Sequence, residues 1–155
     1  MAYPKDLLST RAIVKPGMYA VIPKDGLVNN VLPCLNGCRT SIVASPKMGA
    51  SFVMYICDVQ PGGGTIGNAQ GEEAFLYVIS GAVKASGEGR EFSLAAGGYL
   101  FTPPSAGLQF KNESSEAAKV LLYKQLYVPC EGFFPYLYSG NVNDISYRDY
   151  EDMAN

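Results

Sequence analysis

Two short stretches decide the fold of this chain: Glu72-Glu73-Ala74-Phe75-Leu76-Tyr77-Val78-Ile79-Ser80-Gly81 and Gly97-Gly98-Tyr99-Leu100-Phe101-Thr102-Pro103-Pro104. Each is rich in aliphatic and aromatic residues and ends at Gly or Pro, which is the pattern of a short strand followed by a turn. Because side chains alternate along a strand, the first stretch is predicted to place its small and aliphatic side chains on one face and its aromatic side chains on the other.

Most of the remaining sequence repeats this pattern. The predicted strands are residues 18–22, 27–32, 40–44, 52–59, 74–80, 83–86, 91–94, 99–102, 108–111 and 119–128. Gly81 and the glycines at 87 and 89 supply hairpin turns, and no segment shows the periodicity of an amphipathic helix. Roughly ten strands spaced roughly ten residues apart predict an all-β fold, a sandwich or barrel of short antiparallel strands.

Composition excludes several classes of function. The 155 residues are enough for one domain with a substantial core. The 12 basic and 14 acidic residues leave a net charge of -2 without a Lys/Arg cluster, so no nucleic-acid partner is expected. The absence of His excludes imidazole-based acid–base catalysis, nucleophile pairs that need His, and metal sites that need imidazole.

The N-terminal segment and the cysteines favour a cytoplasmic protein. Residues 1–15 contain charged side chains and no apolar run, so a signal peptide is not expected. No stretch approaches the roughly 18–20 apolar residues of a membrane span, so no membrane contact is expected. The cysteines, at positions 34, 38, 57 and 130, lack the spacing of zinc or redox pairs and are expected to be thiols in a reducing compartment.

The chain is predicted to divide near residue 130. Residues 1–130 would form the barrel with its N-terminal strands, and residues 131–155 would form an aromatic and acidic connector or a docked tail. Solvated ends rarely carry many aromatic side chains, which favours docking of the tail. The aromatic residues concerned are Phe133, Phe134, Tyr136 and Tyr138.

The segment Pro61-Gly62-Gly63-Gly64, continued by residues 72–81, resembles the first motif of the cupin superfamily, and residues 97–112 resemble the second. This resemblance implies the cupin fold, a double-stranded β-helix or jelly-roll barrel. It also implies where a metal would be bound: a carboxylate at the position of Ala74, two His among residues 67–70, and a third His at Leu108. None of these positions carries a ligand, so neither a metal nor a catalytic residue is expected in this chain.

Strand parity extends this interpretation to the outer surface. Phe75, Tyr77 and Ile79 are predicted to face outward, whereas Ala74 and Leu108 face the interior. An apolar outer stripe needs cover, either from the same chain or from another subunit. We expect a homo-oligomer, most simply a two-fold dimer, with these three side chains as a possible interface.

Further stretches are similar to one family within the superfamily. They are Tyr3-Pro4-Lys5-Asp6-Leu7-Leu8, Asp25-Gly26-Leu27-Val28-Asn29-Asn30, Ser45-Pro46-Lys47-Met48-Gly49-Ala50-Ser51-Phe52-Val53 and Leu122-Tyr123-Lys124. In collinear order over almost the whole chain, they resemble the N-terminal half of the (S)-ureidoglycine aminohydrolases. Members of that family carry a longer Gly- and Glu-rich loop where this chain has residues 67–72.

The family resemblance implies a two-cupin protein of purine and allantoin degradation. Such a protein uses manganese to release ammonia from (S)-ureidoglycine, giving (S)-ureidoglycolate. The family's metal and catalytic residues belong to the C-terminal cupin, which is absent from this sequence. The resemblance therefore implies a non-catalytic, metal-free N-terminal cupin with no cofactor of its own.

Two other functions stay open at this point. A stand-alone cupin could bind a small molecule at the barrel mouth, through Gln70, Glu73, Gln109 and Lys124, although each of these is more simply explained as a solvated polar group at the rim. A metal-free enzyme could use Lys124, Tyr77 or Glu73 as acid–base groups. Nothing in the sequence places two of those three together, so the enzyme is the less favoured alternative.

Overall fold

A computed structural model describes residues 12–23, 26–67 and 71–146, without the side chains of residues 65 and 66. The strands are β1 (Ile13–Lys15), β2 (Tyr19–Val21), β3 (Asn29–Asn30), β4 (Leu35–Ala44), β5 (Val53–Ile66), β6 (Glu72–Ser80), β7 (Ala82–Gly87), β8 (Arg90–Ala95), β9 (Gly98–Thr102), β10 (Gln109–Lys111), β11 (Ala118–Leu126) and β12 (Tyr138–Asn141). Short 3-10 turns cover Pro46–Met48 and Val142–Asp144. No helix in the described part of the chain has the length and apolar character needed to cross a membrane.

One antiparallel sheet contains most of these strands. Its order is β12-β9-β6-β11-β5-β10-β7-β8, with β4 beside β5 and β3 beside β4, while β1 and β2 pair separately. The sheet curves round a single core into a nearly closed barrel. This confirms the prediction of an all-β barrel of antiparallel strands.

Alternation along the strands builds the core. In β6, Ala74, Leu76 and Val78 are buried, and the residues between them are half-buried. The same alternation holds in β11, where Val120 and Leu122 pair with Val78 and Leu76. Other buried side chains complete the core: Leu35, Cys38, Cys57, Val59, Val83, Ala85, Leu94, Leu100, Leu108, Phe110, Ala118 and Leu137. The interior is therefore filled mainly by apolar side chains.

Strand β5 is longer than the sequence indicates. It continues through Gly62, Gly63 and Gly64, which read as a turn in the sequence, because Gly63 and Gly64 allow β4 and β10 to approach closely. A Cβ at Gly64 would lie only 3.0 Å from the Lys111 Cα, in addition to clashing with the Phe110 carbonyl oxygen. The Gly run is therefore a site of close backbone packing within a strand.

The hairpin between β7 and β8 agrees with the sequence. Gly87 pairs with Arg90, which leaves Glu88 and Gly89 as the two-residue turn, and both have positive φ. Positive φ at both central residues is the geometry that matches the twist of the adjoining strands.

The ends of the described chain depart from the predicted strands. The segment 27–32 contributes only the two-residue β3, and β1 and β12 were not predicted. β12 pairs with β9 from Tyr138 to Asn141, so part of the segment 131–155 joins the main sheet. Phe133, Phe134 and Tyr136 remain exposed, whereas Leu137 is buried.

Candidate functional site

Ala74 and Leu108, two of the positions at which the cupin pattern expects metal ligands, lie around one cavity inside the barrel. We call this part of the barrel the interior end. Ala74 and Leu108 are each 2% exposed, and neither side chain has an atom that could bind a metal. This cavity has a volume of about 20 Å³, roughly the room that one water molecule needs. The other lining residues are Cys34, Leu35, Tyr55, Gly67, Leu122 and Lys124.

An ion pair lies beside these two positions. Lys124 pairs with Ala74 across β11 and β6, and Glu72 precedes Ala74 by two residues, on the same face of β6. The Lys124 Nζ lies 2.7 Å from a carboxylate oxygen of Glu72, with only 21% and 22% of the two side chains exposed. The pair places an ammonium group next to the expected metal position.

The sequence analysis missed Glu72. It considered Glu73 because that residue is adjacent to the ligand position, but strand parity places Glu72, and not Glu73, on the face of Ala74. Glu72 could have been identified from its spacing of two residues from Ala74, because residues two apart in a strand lie on the same face.

Of the three predicted mouth residues that the structure describes, Glu73 and Lys124 line one surface pocket, and Gln109 lies apart from them. Glu73 lies on the outer side of β6, where its carboxylate accepts a hydrogen bond from the Gln125 amide. Gln109 is exposed on β10 and lines a different surface groove, which shares no residue with the cavity beside Lys124. Gln70 lies outside the described residues. Lys124 alone is placed at the interior cavity, and ligand binding by any of the four stays a prediction.

Three titratable groups in or beside the barrel interior have raised pKa values. Burial raises the pKa of the Tyr55 hydroxyl, and nearby Cys34 and Glu72 raise it further. Burial also raises the pKa values of Cys38 and Cys57 to about 11, against the opposing effect of one hydrogen bond to each. At neutral pH these groups are a neutral phenol and two neutral thiols, which are poor nucleophiles and poor bases. Within residues 12–23, 26–67 and 71–146, no group of three or more Cys, Asp or Glu side chains is arranged to hold a metal ion.

The outer face of the sheet contains a connected series of rings, which we call the outer aromatic row. Phe75 contacts Tyr99 and Tyr123, at centroid distances of 5.9 and 6.4 Å. Tyr138 of β12 contacts Tyr99 and Phe101, at 6.1 and 5.4 Å. The row consists of Phe52, Tyr123, Phe75, Tyr99, Tyr138, Phe101 and Tyr136. Tyr77 is half-buried on the same face of β6, and Ile79 is 42% exposed.

Comparison with known proteins agrees with this architecture. Residues 55–123 match the family model described as Cupin domain. The chain is 45% identical to (S)-ureidoglycine aminohydrolase of Escherichia coli K12 over 97% of its own length and 59% of that protein. It is 26% identical to a protein of Oryza sativa subsp. japonica described as a probable (S)-ureidoglycine aminohydrolase, over 86% of the chain and 43% of that protein.

A crystal structure shows the same relationship. Protein Ylba from E. coli is 44% identical and superposes with a TM-score of 0.84, over 94% of this chain and 61% of that one. The chain spans about half the length of the curated relatives it matches.

Proposed function

Since the chain belongs to the cupin superfamily and is homologous to one half of (S)-ureidoglycine aminohydrolase, we propose that it is the non-catalytic N-terminal cupin of such a protein. One observation carries the proposal: Ala74 and Leu108 occupy two expected ligand positions with buried hydrocarbon. The family resemblance implies that manganese and the catalytic residues belong to the C-terminal cupin.

The residues at the interior end do not fit manganese. This ion prefers oxygen and imidazole ligands, and the side chains of Ala74 and Leu108 supply neither. The Lys124 ammonium adds a positive charge nearby, where a second cation would be repelled. No chemical step is therefore assigned to a metal in this chain.

The role proposed for this cupin is structural. A filled barrel with a rigid aromatic outer face can support an assembly without taking part in the reaction. We propose that the face containing Phe75, Tyr77 and Ile79 contacts a second copy of the chain, because Ile79 is exposed beside the half-buried Phe75 and Tyr77 and apolar surface marks interaction sites. We propose the cytoplasm as its compartment, because its four cysteines are thiols and not disulfides.

The direct test is an ammonia-release assay on the purified 155-residue chain with (S)-ureidoglycine and added Mn²⁺. We expect no release above the rate in buffer, while full-length E. coli (S)-ureidoglycine aminohydrolase, assayed in parallel, is active. Manganese-dependent release by the chain would overturn the proposal.

A small-molecule binding module at the barrel mouth is the alternative. The cavity of about 20 Å³ beside Lys124 holds no more than about one water molecule, so a ureide does not fit without movement of the mouth. A rise in melting temperature with ureides, glyoxylate or sugars would favour this alternative, because ligands that bind the native state stabilise it.

A further inference from the structure

A pocket of about 190 Å³ lies on the outer side of the sheet, at the end of β6 that begins with Glu72 and Glu73. It adjoins the interior cavity, with which it shares the lining residues Ala74 and Lys124. Its lining residues are Phe52, Glu73, Ala74, Phe75, Phe101, Tyr123, Lys124 and Gln125.

The aromatic walls of this pocket are set at angles to one another. Phe52 and Tyr123 are 5.5 Å apart with ring planes tilted by 48°, and Phe75 and Tyr123 are 6.4 Å apart with planes tilted by 60°. The rings therefore form walls of different orientation and not one flat surface. The face of an aromatic ring carries negative potential, so a group that rests on an exposed ring face is favoured when it is positively charged.

The charge at the rim favours a cation as well. The Glu73 carboxylate accepts a hydrogen bond from Gln125, a neutral amide that leaves its negative charge in place. The Lys124 ammonium lies 2.7 Å from Glu72 and balances that carboxylate. Glu72, Glu73 and Lys124 together thus carry one net negative charge beside the rings.

We propose that this pocket binds a small organic cation, an alkylammonium or a guanidinium group, held over the rings next to Glu73. A neutral ligand would use the rings but not the carboxylate, and an anion would be repelled by both. The proposal goes beyond the structural role given to this cupin, because neither loss of catalysis nor assembly through the face containing Phe75, Tyr77 and Ile79 requires a ligand here, although Phe75 borders both surfaces.

The test is an NMR titration of the full 155-residue chain with choline and with its neutral isostere 3,3-dimethylbutan-1-ol, at constant ionic strength. We expect choline to shift the ring resonances of Phe75 and Tyr123. Since desolvated cation–π contacts and a neighbouring carboxylate act together, choline should bind at least about fivefold more tightly than the alcohol.

Matched variants locate the effect. Glu73→Gln keeps the shape of the side chain and should weaken choline binding about fivefold, whereas Glu116→Gln makes the same change in net charge at an exposed position and should have no effect. Phe75→Leu should weaken binding, while Tyr77→Leu, on the same face of β6 but outside the pocket lining, should not. Thermal unfolding of each variant checks that the fold is retained.

Three results would overturn the proposal. They are equal affinities for choline and the alcohol, equal effects of Glu73→Gln and Glu116→Gln, and choline affinity that falls as the protein concentration rises. The last result would mean that a side chain of a second copy fills the pocket. None of these outcomes affects the ammonia-release test.

Discussion

Asn112, at the end of the second cupin motif, is a fully buried polar residue with satisfied hydrogen bonds. Its Nδ2 donates to the carbonyl oxygens of Val59 and Glu116, at 3.0 and 2.8 Å. Its Oδ1 accepts from the backbone N–H of Ser114 at 3.0 Å. The side chain therefore ties the loop before β11 to β5, which explains why an amide is required at this position inside a mainly apolar barrel.

Replacing this amide should destabilise the protein strongly. In Asn112→Ala the buried carbonyl of Val59 and the part-buried carbonyl of Glu116 lose the Asn112 donor, and we expect the free energy of unfolding to fall by about 2–4 kcal/mol. The exposed Asn143, whose amide donates to the Ala96 carbonyl at 3.3 Å, provides the control, with an expected loss of less than about 1 kcal/mol for Asn143→Ala. Urea denaturation measures both, and equal losses would contradict this account.

The buried thiol of Cys57 predicts how stability depends on pH. Burial raises the pKa of Cys57 from its ordinary value of 9.0 to about 11. Between these values the folded protein keeps a proton that the unfolded chain has lost, so the stabilising effect is complete below pH 9 and disappears as the pH rises toward 11.

Urea denaturation at pH 8.5 and pH 10.5 tests this dependence. Cys57→Ala should make the decline in unfolding free energy shallower, by about 1 kcal/mol per pH unit. Cys130→Ala, which changes an exposed thiol, should leave the slope unchanged. Identical slopes for the wild type and Cys57→Ala would contradict the assignment.

The sequence predicted the location of individual side chains only where a motif aligned the chain with a known pattern of positions. The cupin pattern placed Ala74 and Leu108 at the interior end, and both are buried there. The ion pair of Glu72 and Lys124 was not predicted, because it joins two strands far apart in the sequence. Pair contacts of this kind depend on strand register, which one sequence does not reveal.

At the scale of elements, β5 depends on glycines that keep its neighbours close. A side chain at Gly64 would collide with the backbone of β10, and not with a flexible side chain that could move aside. Pairing of β5 with β10 therefore requires Gly at this position.

Gly64→Ala should consequently destabilise the protein, by more than about 2 kcal/mol. Gly62 lies three residues beyond Val59, the last β5 residue that pairs with β11. A Cβ added by Gly62→Ala would meet no atom within 4 Å, but the φ of this residue is 77°. That strain alone should cost about 1 kcal/mol, so the difference between the two variants isolates the backbone collision. Chemical denaturation gives both values, and a smaller loss for Gly64→Ala than for Gly62→Ala would refute the close-approach argument.

Alternation of apolar residues predicted the central strands well and the peripheral ones poorly. β6, β7, β8 and β9 lie within one or two residues of their predicted bounds, because each has a buried face and a clear turn. β12 has no alternating pattern to detect, since its sequence is Tyr-Ser-Gly-Asn and it is held by pairing with β9. Tertiary pairing, and not local preference, determines such a strand.

At the scale of the whole molecule, the exposed apolar face predicts self-association. We expect light scattering to give twice the chain mass of 16.6 kDa and Ile79→Lys to give a monomer, because a charge on this face would be desolvated in the dimer. Val31, 86% exposed and away from β6, supplies the control variant Val31→Lys, which should remain a dimer. A monomer at every concentration of the wild type would contradict the proposed interface.

The position of β5 has a consequence for biosynthesis. This strand pairs with β4 along one edge and with β11 and β10 along the other, so its second edge stays open until β11 leaves the ribosome. Ribosomes add about 5–20 residues per second, and the roughly fifty residues between β5 and β11 therefore take about 3–10 s to translate. During that interval the nascent chain carries a hydrophobic strand with one open edge, so we expect it to be most prone to aggregation when translation pauses within β6 to β10.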